Sequence, residues 1–374
     1  MQNSPSAPVA ALPPPRASIP VVTNATAASD AELLEAAAHF LEAPHDALAF
    51  ERCGGGVNNK VYRVVDTSTG VQHILRVYNN GFNDARVAYE HEVLRQLAER
   101  AASLPFEIPT LVTALPASGR GTSARLASGA HACMFRTIRG GAAPLSAARA
   151  IGAATAQLVD AMATIVVPPE LGSPNPLYRN PWEAHHTVTR DAFLALVASD
   201  PAFVSVRSDM DFLVREIERA EVLISEILAS GDLPEQQLHA DLHFDNVLCD
   251  GDVVTGVLDL EFSAFDWRAM EAGVGLSKFC GLTNPEPHVR AFVEGYGSAG
   301  GRLTRREIEL MPDLIILRIL SNVIYFGGRA LAGEDTVEPL SGRAHIYAAR
   351  IRWLHDNRAW LVGVLDTLVA PSTA

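Results

Sequence analysis

Strand-forming and helix-forming segments are segregated along this chain, and that segregation limits the folds open to it more than any single motif does. Two β-rich runs, Lys60 to Asp66 and Val71 to Tyr78, are joined by Thr67-Ser68-Thr69-Gly70, a sequence suited to a hairpin turn. A helical pattern follows from Asn83 to Arg100. Beyond it Pro105 and Pro109 open a loop, and Ala130 to Ile138 reads as another strand. From Leu145 onward the period changes to that of helices, with Ile151, Leu158, Met162 and Ile165 on one apolar face. Further helices are predicted over Met210–Ala229, Pro287–Tyr296, Arg305–Phe326 and Ala344–Leu368. One β-rich island interrupts this half: Val247–Cys249 and Val253–Leu258, joined across Asp250-Gly251-Asp252, where Asp-Gly is a strong hairpin signal. The expected fold class is therefore α+β, with a small β-rich N-lobe and a larger, mostly helical C-lobe.

At 374 residues the chain exceeds what one hydrophobic core usually supports, in keeping with two lobes. Residues 1–29 are rich in Pro, Ala, Ser and Thr and read as a disordered tail, with an organelle transit peptide as the weaker alternative. Ser29 or Asp30 is placed to cap a helix running to about Leu41, so the fold is expected to begin there. The N-lobe is expected over 30–139 and the C-lobe over 140–370. A formal net charge of −13 leaves no overall basic surface for nucleic acid. Cys53, Cys133, Cys249 and Cys280 form no CxxC pair, so neither a disulfide framework nor a zinc site is indicated, and a reducing, cytoplasmic setting fits best. The apolar run around Leu314 to Leu320 is broken by Arg318 and reads as too short to span a bilayer. Nothing in the sequence specifies an oligomeric state or a membrane partner.

The chemistry concentrates between His239 and Asp259. Phosphoryl transfer needs a carboxylate to accept the acceptor hydroxyl's proton and oxygen ligands to hold Mg²⁺ on nucleotide phosphates. The spacing His239-x-Asp241-x-x-x-x-Asn246 offers both from one loop, with Asp241 as base and Asn246 as metal ligand. The hairpin that follows delivers Asp259 at a strand end, where a second ligand is held rigidly. Each acid alone is more often a plain loop residue; together, with a hairpin between them, they favour the functional reading. His239 and His243 also spell HxxxH, but no Glu lies between them as a zinc-protease helix needs.

The run His-Ala-Asp-Leu-His-Phe-Asp-Asn-Val-Leu (239–248), followed by Gly-Val-Leu-Asp-Leu-Glu (256–261), resembles the aminoglycoside phosphotransferase/choline kinase superfamily, particularly the branch with type II homoserine kinases. The resemblance covers about residues 45 to 330. It implies a bilobal, protein-kinase-like fold, with ATP and Mg²⁺ as cofactors. By this resemblance Gly55, Gly56 and Asn58 belong to a glycine-rich phosphate loop, and Arg76 stands where the family usually has the Lys that contacts nucleotide phosphates. Arg keeps the charge but offers a planar fork instead of a point charge. Glu90 shares a helical face with Val87, Leu94 and Leu97, where an acid is costly unless paired, so it is expected to pair with Arg76. The backbone at Arg136 and Ile138 is expected to form the adenine hinge. Glu271 stands where the family often carries an Asp, with a longer reach.

No long activation segment follows Asp259, which argues for a small acceptor over a peptide. Glu261, Asp266 and Trp182 are candidate acceptor contacts, suited through charge and cation–π attraction to an amine-bearing molecule. The expected reaction is ATP-dependent phosphorylation of a hydroxyl on a small metabolite, homoserine or another amino alcohol first. Two rivals stay open: a protein Ser/Thr kinase, separated by transfer of label to protein, and a catalytically silent kinase-fold module, separated by the absence of a Mg·ATP-induced melting shift.

Overall fold

The computed structural model describes residues 29–53, 59–78, 83–172, 175 and 177–371. The N-terminal part comprises α1 (Asp30–Ala38), β1 (Leu48–Arg52), β2 (Asn59–Asp66), β3 (Gln72–Tyr78), α2 (Asp84–Ala98), β4 (Ala124–Arg125) and β5 (His131–Arg136). Ser29 starts α1 through a reciprocal capping box with Glu32. The five strands form one antiparallel sheet in the order β1-β2-β3-β5-β4. At its centre Arg76 lies opposite Val61 on one side and Cys133 on the other. Alternation along β3 sends Leu75 and Val77 into a cluster with Leu33, Ala36 and Ala37 of α1 and Phe40 just beyond it, whereas Arg76 and Tyr78 point to α2. The sheet is thus covered on both faces, and α2 stands over the one that carries Arg76.

The C-terminal part follows with β6 (Gly141–Ala142), α3 (Ala148–Met162), α4 (Arg190–Ser199), α5 (Arg207–Ser230), β7 (Glu235–Leu238), β8 (Val247–Asp250), β9 (Val253–Val257), β10 (Ala264–Trp267), α6 (Met270–Phe279), α7 (Pro285–Ser298), β11 (Arg302–Leu303), α8 (Arg305–Leu331), α9 (Glu338–Asp356), α10 (Arg358–Leu368) and β12 (Ala370–Pro371). The expected β island is present and gains β6 as a third strand, in the order β6-β8-β9. Gly251 takes φ 58° in its two-residue turn, a left-handed angle that glycine adopts without steric cost. A second pair escaped the sequence reading: β7 and β10 are antiparallel, with Ala264 opposite Leu238. Since β7 ends at Leu238 and β10 begins at Ala264, the segments 239–246 and 259–263 emerge side by side from one edge.

Helix α3 packs on α7 at backbone contact. A Cβ on Gly152 would lie 1.9 Å from the Phe292 carbonyl oxygen, and one on Gly295 would lie 1.8 Å from that of Arg149. The single helix expected over Ala344–Leu368 is two, α9 and α10, parted at Asn357. Helix α8 also departs from expectation. Its 27 residues include a window of mean hydropathy 1.5, long and apolar enough to cross a membrane, because Arg318 and a second charged residue do not offset so many aliphatic neighbours. Some 67% of that window is buried, and α8 packs against α4, α5, α6, α9 and α10 as the core helix of this lobe.

Candidate active site

The catalytic loop is fixed mainly through its backbone. Glu271, on α6, accepts the amides of His239 at 2.7 Å and Ala240 at 3.1 Å through Oε2. Tyr178 donates its hydroxyl to the Ala240 carbonyl at 2.5 Å. Ala240 has φ 64°, a left-handed backbone that L-residues adopt only when their surroundings enforce it. His239 is wholly buried; its Nδ1 accepts the Asp241 amide, so its Nε2 carries the proton given to the Leu258 carbonyl at 2.8 Å. Burial pushes the Glu271 carboxyl up, against the opposing pull of His239 and the two amides.

The loop's polar side chains converge. Asn246 donates Nδ2 to the Asp241 carbonyl at 2.9 Å and to Asp241 Oδ2 at 3.1 Å. Its own carbonyl takes the Leu258 amide at 2.8 Å, which ties the residue preceding Asp259 to the same loop. Arg318 of α8 bonds to Asp241 Oδ1, and His243 Nε2 lies 3.5 Å from that oxygen. Burial would raise the Asp241 carboxyl, but the Arg318 guanidinium and His243 outweigh it and hold it well below the usual carboxylate range. Asp259 shares the left-handed backbone of Ala240, with φ 66°.

Across from this loop, Arg76 Nη1 bonds Glu90 Oε1 at 2.7 Å and Nη2 bonds Asp259 Oδ1 at 3.0 Å. Burial disfavours the guanidinium charge, yet Glu90 and Asp259 outweigh it and keep Arg76 firmly cationic. Tyr78 completes Glu90 by donating to Oε2 at 2.8 Å. Asn59 donates to Glu261 Oε2 at 2.6 Å; burial, then the charge of Asp259, pushes the Glu261 carboxyl up to about 8. The donor set suits magnesium. Asn246 gives both its Nδ2 bonds to Asp241, which leaves the amide oxygen for a cation, and Arg76 takes only one oxygen of Asp259. A carboxylate and an amide oxygen are ligands of the hard type magnesium takes.

The remaining expected residues divide. Gly55, Gly56 and Asn58 lie outside the described residues. The Arg136 amide is not free for a nucleotide, because it donates to the Thr110 carbonyl at 2.9 Å. Ile138 packs its side chain against Gly256 of β9. Asp266 is wholly buried, accepts the amides of Tyr178 and Trp267, and so anchors the chain instead of facing a ligand. Burial pushes its carboxyl up to about 6. Trp182 sets its ring edge against Phe193 of α4 and gives its N–H to Glu221 of α5, a packing position. Sequence reasoning missed Arg318 and Tyr178; the one signal was a lone arginine inside an apolar helix. His185, His186 and Glu334 also bring ligand-type atoms within 4.8 Å of one another, but Arg329 Nη1 already lies 3.2 Å from Glu334 Oε2 and supplies the positive charge there.

A model of the phosphotransferase enzyme family, APH, matches residues 49–310. Curated relatives include the homoserine kinase of Sinorhizobium fredii, 26% identical over 266 residues, which is 69% of this chain and 72% of that one. The homoserine kinase of a Bradyrhizobium species is 31% identical over 143 residues, 37% of this chain, so that the match spans only 40% of the relative. Among solved structures, a microcompartment-associated aminopropanol kinase is similar with a TM-score of 0.62 at 18% identity, covering 88% of this chain and 98% of that one. An ethanolamine kinase of Plasmodium vivax gives 0.56 at 14% identity over 83% and 82%. A spectinomycin phosphotransferase solved with ADP and spectinomycin gives 0.50 at 14% identity over 86% and 92%. At these identities the likeness is one of fold.

Proposed function

The chain belongs to the phosphotransferase enzyme family, and on that premise we propose that it transfers the terminal phosphoryl group of ATP to a hydroxyl of a small metabolite, with an amino alcohol such as homoserine as the first acceptor to try. The observation that carries this reading is the Asp241–Asn246 pair: one loop offers an ionised carboxylate and, because the Asn246 nitrogen is committed to it, an amide oxygen left for a metal. The homoserine kinases among its relatives and the amino-alcohol kinases among its structural neighbours support the acceptor class.

Asp241 accepts a hydrogen bond from the acceptor hydroxyl and so aims the oxygen at the terminal phosphorus. As the new O–P bond forms and the bond to the ADP oxygen breaks, the hydroxyl proton passes to the Asp241 carboxylate. A carboxylate held this acidic is a weak base, which suits a loose transition state in which proton transfer comes late and positioning does most of the work. Asn246 and Asp259 would hold Mg²⁺, which when bound would supply neutralisation of charge on the phosphate oxygens. Arg76, steadied by Glu90 and Asp259, supplies a fixed positive charge beside the metal ligands for the nucleotide phosphates. Glu261, whose charged neighbours include Asp259 and Glu90, is the remaining candidate for an acceptor amine.

The test is ADP release with ATP and Mg²⁺ across amino alcohols, sugars, choline-like amines and aminoglycosides. Turnover that requires one of these hydroxyl compounds is expected. Transfer to protein substrates with none to small molecules would replace this reading by that of a protein kinase.

A further inference from the structure

Arg318 lies in the middle of α8 among Leu314, Ile315, Ile316, Leu317, Ile319 and Leu320, all buried. A guanidinium there loses hydration and is costly unless an opposite charge meets it. That charge is Asp241, 77 residues away in sequence; Arg318 Nη2 bonds to its Oδ1, and both side chains are 14% exposed. Asn246 Nδ2 takes the other oxygen, Oδ2. Each carboxylate oxygen thus has its own donor, and the rotation that would exchange them breaks both bonds. Oδ1 also has His243 Nε2 3.5 Å away, so it is Oδ2, with Asn246 as its one donor, that keeps a lone pair for an incoming hydroxyl. Tyr178 links the two partners: its ring is 5.9 Å from Arg318 Cζ, and its hydroxyl holds the Ala240 carbonyl, one residue before Asp241. Arg318 Nε is buried with no hydrogen-bond partner, so the fork keeps its aim at Asp241 at the cost of another donor.

We propose that Arg318 is a positioning residue for the phosphoryl transfer: from α8 it holds the Asp241 carboxylate in the orientation that meets the acceptor hydroxyl. The inference rests on Asp241 accepting that hydroxyl's proton. Arg318 itself gains and loses no proton and touches neither substrate. A lysine at this position keeps the charge but not the planar fork, so it restores attraction without fully fixing the carboxylate plane.

The experiment is a double-mutant cycle with Arg318→Met, Arg318→Lys and Asp241→Asn, each measured for kcat, for KM of ATP and for the melting shift given by Mg·ADP. In Arg318→Met, kcat is expected to fall about 100-fold, the scale of a 1 Å misplacement, while KM for ATP and the Mg·ADP shift change by less than about twofold. Arg318→Lys is expected within about tenfold of wild type. On the Asp241→Asn background, Arg318→Met is expected to cost less than about twofold more, because nothing is left to position. Equal losses with and without Asp241 would overturn the proposal in favour of a structural role. So would a loss confined to KM for ATP, or a lysine no better than methionine. Should Arg318→Met fail to fold, with the Asp241 charge left uncompensated, the cycle of Arg318→Lys with Asp241→Asn reads the same coupling. A wild-type protein that phosphorylates no hydroxyl compound counts against the proposed function itself. The crystal structure of Arg318→Lys then decides the present point: an Asp241 carboxylate in the wild-type orientation overturns it, and a rotated one upholds it.

Discussion

Replacing Glu271 by alanine removes the acceptor for two amides buried beneath the catalytic loop, those of His239 and Ala240. A buried N–H left without a partner costs about 1–3 kcal/mol, so two give about 2–6 kcal/mol. The left-handed backbone at Ala240 adds to the strain, because a non-glycine residue there carries about 1–2 kcal/mol that those bonds help to hold. Two effects oppose the loss. A buried carboxyl with an unpartnered Oε1 disappears, and the loop can relax toward water. We expect a net loss of about 2–4 kcal/mol for Glu271→Ala, and about 1 kcal/mol or less for Glu271→Gln, whose amide oxygen can accept both N–H groups. Urea unfolding followed by circular dichroism gives the stabilities, with an unchanged m-value required for the comparison. Turnover should fall about 10²-fold in the alanine variant, the scale of a small misplacement of Asp241. An alanine variant within about 0.5 kcal/mol of wild type, turning over normally, would refute the idea that Glu271 holds the loop.

Asp241→Asn should lower turnover by about 10²–10⁴ while the Mg·ATP melting shift persists; unchanged turnover would remove Asp241 from its role. Asp266 makes stability depend on pH. Its folded pKa of about 6 lies above its ordinary value, so between about pH 4 and 6 the folded protein keeps a proton that the unfolded chain releases, and its contribution, full below about pH 4, is lost as pH rises. Asp266→Asn should therefore gain about 2 kcal/mol relative to wild type between pH 4 and 7, and a flat difference would refute the assignment. Gly295→Ala drives a methyl group into the Arg149 carbonyl and should destabilise by at least about 1–3 kcal/mol, measured by thermal unfolding; a neutral result would mean that α3 and α7 part easily.

What the sequence disclosed was local. Ser29 and Glu32 cap α1 within one turn, Gly251 closes a two-residue hairpin, and Glu90 declares itself by lying on an apolar stripe. What it withheld depended on residues far apart. Glu235–Leu238 and Ala264–Trp267 are short and half polar, so neither looks like a strand until the other is beside it. Asp266 looks like a free acid near the metal loop, because sequence does not reveal the amides of Tyr178 and Trp267 that claim it. Asn357 parts two helices with neither Gly nor Pro to announce the break. Arg318 read as an interruption in an apolar run, and its reason is an aspartate on another segment.

The guanidinium of Arg76 joins Glu90, in the sheet-bearing half, to Asp259, in the helical half, and does so out of contact with most solvent. Dissolved ions weaken attractions between charges that face water, and they have little access to this one. Raising the ionic strength should therefore loosen the protein's outer ion pairs well before it loosens the clasp between its halves, and mutual rotation of the two should remain restrained in concentrated salt.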